Sequence, residues 1–543
     1  MLHAQDLGQR LTATRSRLSP RYQRESTLLS GAATIGGPSD EEVRLDNGVL
    51  YRMVMGLDAE PVEMPREDVE SLNDPFAAGL LRQGTFPLTV ADLLAALNAA
   101  SLLPVQDPYL VSEAGQIDPM QARELPRGMR FAVVRGDEPE EAELLISTSA
   151  IGDPASVFLQ VAAWDPQSRH FNYYMRLDEA WIWCGNSYHA LVPPSRGQGC
   201  FDSHVNGSVV MKELAAPWIN WQSGAATIVL ADDDPLRGND LYRQLSPAEN
   251  LETTVRASVS RWTQARLDHI TASGRIEHPD QLLRQLCATT TVNLASSDVE
   301  SSLLVEPGRN IIVPIDFWLN AKLLLDQLGI TVDLLAPKLL SQHYQKALDR
   351  YDFSLTQGDF RRAGDTFFAF LVPVPALEDT EVVVQMLDRD LLSARFVASV
   401  LMVDFANPIF SPARQRLLRY VPVDADLDPP HSLETSMVDA ITAAARDTAP
   451  DSPEHRFLQN WALAESWQQE FGNTLTNYLS SVIARAQTED GVDDYTRLAE
   501  SRRREFRSSR LFEFSLALPT TNIPPSAPLL QMQPDGTITT KEI

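Results

Sequence analysis

The chain has 543 residues, of which 44% are hydrophobic and 22% charged, and its formal net charge is −27 at pH 7. The length favours roughly three to four domains, and the composition is typical of folded proteins. The negative charge disfavours nucleic acid as a partner. Three cysteines exclude a disulfide scaffold, and the absence of a run of about 18 apolar residues excludes a membrane-spanning helix.

The N-terminal segment MLHAQDLGQRLTATRSRLSPRYQRE has no continuous apolar stretch after its basic residues. A secretory signal peptide requires such a stretch. We therefore expect a cytoplasmic location, or a periplasmic or secreted one if the natural start has been trimmed.

The hydrophobic pattern predicts an α+β protein, with a small, mostly antiparallel β-rich part followed by a larger helical part that has a few buried strands. Runs such as FAVV, ELLIST and WIWC favour strands, and helical spacing dominates afterwards. We expect five parts: an N-terminal arm and helix (1–129), a β-rich part (130–235), a mixed α/β part (236–430), a helical part (431–518) and a Pro-rich tail (519–543).

Some elements have well-marked boundaries. Leu88–Leu103 is a predicted helix that Thr89 caps. Ser156–Trp164 and Phe171–Leu177 are separated by a polar turn that is typical of a hairpin. Ser452–Ala486 has apolar residues at three- and four-residue steps, which predicts one long helix with a buried face, and Ser452 is its expected cap. We also expect strands at 226–231, 310–317, 366–372 and 381–387, and helices at 203–214, 247–269, 278–290 and 388–403.

The common catalytic signatures are missing. The sequence contains no G-x-S-x-G, Walker A or G-x-G-x-x-G segment, which disfavours nucleophile-elbow hydrolases and the usual nucleotide-binding loops. It also contains no H-E-x-x-H or C-x-x-C pair of metal ligands. A site is therefore expected in a cluster without such a signature.

One such cluster is Trp181–Trp221, WIWCGNSYHALVPPSRGQGCFDSHVNGSVVMKELAAPWINW. It holds two of the three cysteines, two of the nine histidines and four of the nine tryptophans. We expect this segment to carry the site of a soluble binding or redox-type protein whose ligand, a small molecule or a protein, the sequence does not specify.

Within the cluster, Cys200-Phe201-Asp202-Ser203-His204 has the spacing of the C-x-x-C-H haem-attachment motif, with serine at the second cysteine. Over roughly a dozen residues the segment resembles the attachment site of c-type cytochromes. The resemblance implies that Cys200 forms a single thioether and His204 is the iron ligand, or that His204 holds haem without a covalent bond. Ser203 cannot form the second thioether.

A metal site is an alternative for the same segment. Cys184, His189, Cys200 and His204 supply the nitrogen and sulfur ligands that zinc prefers. If Asp202 or a water replaces one cysteine, the metal keeps an open coordination position, and the protein is then a metal-dependent enzyme.

A cysteine-based enzyme is the third hypothesis. In it His204 or His189 acts as the base for Cys200, and Asp202 or Asn206 orients the imidazole.

A non-catalytic structural protein, in which the cytochrome-like segment is degenerate and binds nothing, is the fourth hypothesis. Here the segment is a structural clasp: Cys184 is a small buried apolar residue, and Trp218 and Trp221 pack on Trp181 and Trp183. The remaining cysteine, Cys287, is expected in the core.

Overall fold

The computed structural model contains two compact units. Within its described residues, the first unit comprises 45–211 and 220–262, and the second comprises 212–219, 263–508 and 519–541. The presence of an eight-stranded sheet together with many helices confirms the predicted α+β class. No helix in this described part is long and apolar enough to cross a bilayer. The described residues are 45–112, 115, 117, 120, 127–139, 141–150, 158–216, 218–296, 310–333, 336–357, 359–365, 372–508 and 519–541.

An eight-stranded sheet forms the centre of the first unit. Its strands are β1 (Leu50–Arg52), β2 (Val62–Glu63), β3 (Val105–Val111), β4 (Arg130–Gly136), β5 (Leu144–Ser149), β6 (Leu159–Asp165), β7 (His170–Leu177) and β8 (Ala180–Asn186). The order across the sheet is β2-β1-β8-β7-β6-β5-β4-β3. All neighbours are antiparallel except β1 and β8, which are parallel. The predicted hairpin is confirmed as β6–β7.

The sheet begins earlier in the chain than the hydrophobic pattern indicated. Strand β1 lies in the segment expected as an arm, and β3 is a strand that the sequence reasoning missed. Residues 226–231 were expected as a strand, but in the structure they form none, and the Val229 amide donates to the Gly115 carbonyl at 2.8 Å. Residues 203–214 were expected as a helix, but they form none. A 3₁₀ turn, Gly199–Asp202, ends just before them.

Helices of the first unit are α1 (Arg66–Ser71), α2 (Pro75–Gly79), α3 (Val90–Ala99), α4 (Asp240–Arg243) and α5 (Ala248–Ile270), which continues into the second unit. Thr89 caps α3 by accepting a hydrogen bond from the Asp92 amide at 3.1 Å, as predicted. Strand β5 alternates between buried and half-buried residues, whereas β8 is buried at nearly every position. Because both faces of β8 are covered, its sequence is a continuous apolar run.

One face of β7 and β8 packs on α2 through a buried carboxylate. Asp74 caps α2, accepting hydrogen bonds from the Phe76 and Ala77 amides at 3.1 and 2.9 Å. The same carboxylate accepts hydrogen bonds from the Tyr174 hydroxyl at 2.6 Å and from the side-chain amide of Asn172 at 2.9 Å. Four donors thus hold one buried charge between the helix and the sheet.

The second unit is mostly helical. Its helices are α6 (Pro279–Cys287), α7 (Ser341–Arg350), α8 (Leu377–Asp388), α9 (Ala394–Leu401), α10 (Pro412–Arg416), α11 (Leu433–Ala445), α12 (Pro453–Trp461), α13 (Trp467–Ala486) and α14 (Glu489–Ser508), with a π-helix at Lys322–Gln327. Its strands pair in twos: β9 (Arg275–Glu277) with β16 (Asp424–Asp426), β10 (Val292–Ala295) with β15 (Val372–Pro375), β11 (Asn310–Ile312) with β12 (Lys338–Leu340), β13 (Ser354–Gln357) with β14 (Phe360–Ala363), and β17 (Leu530–Met532) with β18 (Ile538–Thr540). Cys287 is buried in the core, as expected.

Two predictions in the second unit are wrong. Residues 381–387 belong to helix α8 and not to a strand. The long helix expected at Ser452–Ala486 is interrupted between α12 and α13, where Ala464 has a φ of +48°. The predicted cap is correct, since Ser452 accepts a hydrogen bond from the His455 amide at 3.3 Å.

Other predictions in this unit hold in part. The helices expected at 247–269 and 278–290 are confirmed as α5 and α6, and α9 covers only the second half of 388–403. Strand β11 covers only the start of 310–317. Of the strand expected at 366–372, residues 366–371 lie outside the described residues.

The C-terminal segment packs on the second unit. Asn407 exchanges two hydrogen bonds with the backbone of Met532, both at 2.9 Å. The Tyr495 hydroxyl donates to the Gly536 carbonyl at 3.0 Å. The Pro-rich tail expected from the sequence is therefore bound along α14 and its neighbours over 519–541.

Asp74 makes the stability of the first unit depend on pH. Burial raises the pKa of Asp74 from 3.8 to about 6, against the opposing effect of its hydrogen bonds. The folded protein therefore binds this proton more tightly than the unfolded chain, and this residue's contribution to stability falls as pH rises from about 4 to about 6. We expect Asp74→Asn to remove this loss. Between about pH 4.5 and about pH 7, the free energy of unfolding of the variant should rise by about 2 kcal/mol relative to wild type.

Urea unfolding of both proteins at the two pH values measures this difference. Glu179→Gln, at an exposed position beside β8, is the control and should show no comparable change. If Asp74→Asn and wild type differ in unfolding free energy by the same amount at both pH values, the raised pKa of Asp74 is contradicted.

Candidate functional site

A β-bulge between β7 and β8 creates the candidate site. Tyr174 pairs with Trp183 and Tyr173 pairs with Gly185, so Cys184 is an extra residue in β8. Both Cys184 and Gly185 therefore lie opposite Tyr173, on the face of the sheet that Trp183 does not occupy. Gly185 has a φ of +112°, which favours glycine.

The turn that contains Cys200 covers this bulge. A Cβ atom placed on Gly185 would lie 3.1 Å from Cζ of Phe201, so the glycine makes room for that ring. The Phe201 and His204 rings lie 5.5 and 4.8 Å from the Tyr173 ring, centroid to centroid. The 3₁₀ turn Gly199–Asp202 thus packs directly on the Tyr173 face of the sheet.

This packing brings Cys184 and Cys200 together. The neighbouring Cys200 thiol, and then burial, raise the pKa of the Cys184 thiol well above its usual value. Cys184 is buried, whereas Cys200 is half-buried. The Cys184 sulfur also lies 3.7 Å from the Ile182 carbonyl oxygen, an acceptor that favours the protonated thiol. The two cysteines form a pair in which one thiol is accessible and the other is not.

His189 contacts both Trp183 and the bulge. Its ring packs edge-on against Trp183, with 5.5 Å between centroids, and a Cβ atom on Gly185 would lie 3.3 Å from the Cβ and Cγ of His189. Its Nδ1 lies 2.8 Å from Oδ1 of Asn186. Burial and the nearby Arg52 cation lower the pKa of His189 to about 4, so this imidazole is neutral at pH 7. The Nδ1 nitrogen of His189 thus contacts Asn186 and not Cys200.

His204 is held by a backbone carbonyl. Its Nδ1 lies 2.7 Å from the Ser208 carbonyl oxygen, which can only accept, so Nδ1 carries the proton and Nε2 is the acceptor nitrogen. Asp202, expected as a partner for the imidazole, accepts a hydrogen bond from the Ser203 hydroxyl at 2.9 Å. The orientation of His204 is therefore fixed by its own loop.

The four predicted metal ligands are not brought together as one set. Cys184 and Cys200 are neighbours, His189 lies with Trp183, and His204 packs on Tyr173. Among the residues that the structure describes, no three His, Cys, Asp or Glu side chains are grouped so that they could hold a metal ion. Structural zinc normally needs four such ligands.

Haem does not fit the arrangement of Cys200 and His204. Their backbone forms one helical turn, since the His204 amide donates to the Cys200 carbonyl at 3.3 Å. Both side chains, however, point toward the sheet, where Tyr173 and Phe201 are almost completely buried. A haem ligated by His204 would have to replace this ring packing, so haem attachment stays a prediction from the sequence resemblance alone.

The loop between β8 and residue 211 is anchored by close backbone contacts. Gly207 has a φ of +75°, and a Cβ atom at this position would lie 2.5 Å from the Ser187 carbonyl oxygen. The Trp262 indole of α5 donates to the Asn206 carbonyl at 2.7 Å. These contacts fix the loop that carries Cys200 and His204 against the sheet.

The predicted tryptophan clasp does not form as expected. Trp221 bridges to Val111 of β3, at the edge of the sheet farthest from β1 and β2. Five strand spacings of about 4.8 Å separate β3 from β8, so Trp221 cannot pack on Trp181 or Trp183. Trp181 instead donates its indole hydrogen to the Pro87 carbonyl at 2.8 Å. Residues 212–219 of the segment, including Trp218, belong to the second unit.

Tyr173 and Trp262 are site residues that the sequence reasoning missed. Tyr173 stands in the period-two run of β7, which marks it as inward-facing but does not indicate what it meets. Trp262 is 41 positions past the clustered segment. No protein-family model, curated protein or solved structure matches this chain.

Gly207 and Gly197 allow a test of how tightly this loop is held. Both have positive φ, but a Cβ atom at Gly197 meets nothing within 4 Å. We expect Gly197→Ala to cost about 1 kcal/mol of unfolding free energy through backbone strain alone. Gly207→Ala should cost at least about 2 kcal/mol, because the Ser187 carbonyl must also move. Urea unfolding measures both, and equal losses would show that the loop is not closely packed at Ser187.

Proposed function

We propose that this chain is a redox-type protein whose reactive group is the Cys184–Cys200 thiol pair. The observation that supports the proposal is the placement of Cys200, on its 3₁₀ turn, beside the bulge residue Cys184. Neither cysteine is near the other in sequence, so the fold itself brings them together.

The reaction is a two-electron exchange. A low-molecular-weight disulfide accepts two electrons and two protons from the two thiols, and it leaves as two free thiols. The Cys184–Cys200 disulfide that forms is returned to the dithiol by the reverse exchange. The half-buried Cys200 is the position at which a small partner meets the pair.

Two other hypotheses are less well supported by the geometry. A metal-dependent enzyme needs a ligand set, and none is grouped within the described chain. A cysteine-based enzyme needs a base that contacts Cys200, and the Nδ1 nitrogens of the two predicted bases, His189 and His204, contact Asn186 and the Ser208 carbonyl instead. A purely structural role for the segment is the main rival, because buried cysteines often serve as small apolar residues.

The proposal predicts a measurable redox couple. We expect the protein, equilibrated in buffers of reduced and oxidised dithiothreitol, to change between a dithiol and one intramolecular disulfide. Peptide mapping after alkylation of free thiols should show Cys184 and Cys200 linked and Cys287 alkylated only after denaturation. Cys200→Ser should abolish the linkage, whereas Cys287→Ala, which changes the remaining buried cysteine, should retain it.

A protein that keeps three free thiols in the most oxidising buffer would favour the structural role and reject the redox proposal. An absorption scan of the same preparation tests the haem resemblance separately, since bound haem gives a Soret band.

A further inference from the structure

We propose that a hydroperoxide oxidises the two cysteines in sequence, with Cys200 as the thiol that reacts with the hydroperoxide and Cys184 as the thiol that resolves the resulting sulfenic acid. This inference rests on the proposed redox function and specifies its oxidant and its order of steps. The basis is the unequal surroundings of the two sulfurs.

The first difference is access. Cys184 has 4% of its surface exposed, lies in a central strand of the sheet and is covered by the 199–204 turn. Cys200 is half-buried and follows Gly199, in a turn whose glycines at 197 and 199 carry no side chains to cover it. An oxidant from solvent therefore reaches Cys200 first.

The second difference is the proton. The thiolate is the nucleophile in thiol chemistry. Burial and the interaction with Cys200 keep the proton on Cys184, because they raise the pKa of that thiol. Cys184 is therefore the partner that stays protonated, and its sulfur lies 3.7 Å from the Ile182 carbonyl oxygen.

The third feature is how closely neighbouring residues pack around Cys200. Cys200 is followed by Phe201, which is 1% exposed, and it lies close to the buried Tyr173 ring. Gly199 packs on Met55, since a Cβ atom there would lie 2.6 Å from Met55 Cγ. These neighbours favour a small oxidant. A hydroperoxide needs to present only one oxygen atom to the sulfur.

The oxidation has two steps. The Cys200 thiolate attacks the terminal oxygen of the hydroperoxide, the O–O bond breaks, and the alkoxide or hydroxide that leaves takes up a proton. Cys200 is then a sulfenic acid. The Cys184 sulfur attacks the Cys200 sulfur, the S–O bond breaks, and the hydroxide combines with the Cys184 proton to form water. Two thiols and one hydroperoxide thus give one disulfide, one alcohol or water, and one further water.

Trapping of the intermediate tests the order of steps. We expect Cys184→Ser, treated with one equivalent of hydrogen peroxide and a cyclic 1,3-diketone, to carry the diketone on Cys200, as read by peptide mass spectrometry. Cys200→Ser should give no adduct at Cys184 under the same conditions. In the wild-type protein, excess diketone should reduce the yield of disulfide in proportion to the adduct formed on Cys200, which gives a readout that does not depend on a variant.

The outcomes distinguish the inference from the proposed function. An adduct on Cys184, or a disulfide that forms with dithiothreitol buffers but not with peroxide, overturns the order or the oxidant and leaves the redox couple intact. A larger oxidant such as oxidised glutathione that reacts faster than peroxide also overturns it. Failure to form the disulfide under any condition rejects the redox function itself.

Discussion

The extra residue in β8 is the constraint on which the site depends. With regular alternation, residue 185 would point to the Trp183 face and would have no reason to be glycine. The bulge places Cys184 and Gly185 in succession against Tyr173, so one position supplies a thiol and the next supplies space. Phe201 fills that space, and its neighbour Cys200 is thereby held beside Cys184. The thiol pair is a consequence of one irregularity in an otherwise regular sheet.

The two faces of β7 and β8 have different chemistry. On one face, Asp74 is surrounded by hydrogen-bond donors from α2 and from β7, which makes a charged but fully satisfied contact. On the other, Tyr173, Phe201 and the two cysteines form a largely apolar layer. A sheet buried on both faces separates these environments by the thickness of one strand, so a neutral thiol and a carboxylate are kept apart.

Part of the fold could be predicted from the sequence. The caps Thr89 and Ser452 were identified because capping depends on a few adjacent residues. The helix at 381–387 was mistaken for a strand because its three valines favour strands, whereas the acidic first turn of α8 and its burial favour the helix. The interruption at Ala464 has no local signal, since alanine is a good helix former.

The site could be located but not assembled from the sequence. Residue types marked the segment as chemically capable, and Cys184, His189, Cys200 and His204 are all in it. Which of them meet depends on the bulge and on the order of the strands, and neither is encoded in spacing along the chain. The same holds for Trp221, which is near Cys200 in sequence and yet belongs to the far edge of the sheet.

The parallel pairing of β1 with β8 has a consequence for the order of folding. Strands β3 to β8 each pair with a neighbour in sequence, so their contacts close short loops and form early. Strand β1 must find β8 across roughly 130 intervening residues, which is entropically more costly and slower. Until it does so, β8 is an edge strand with unpaired backbone groups that other chains can engage. The strand that carries Cys184 is thus open to misassociation while the chain folds.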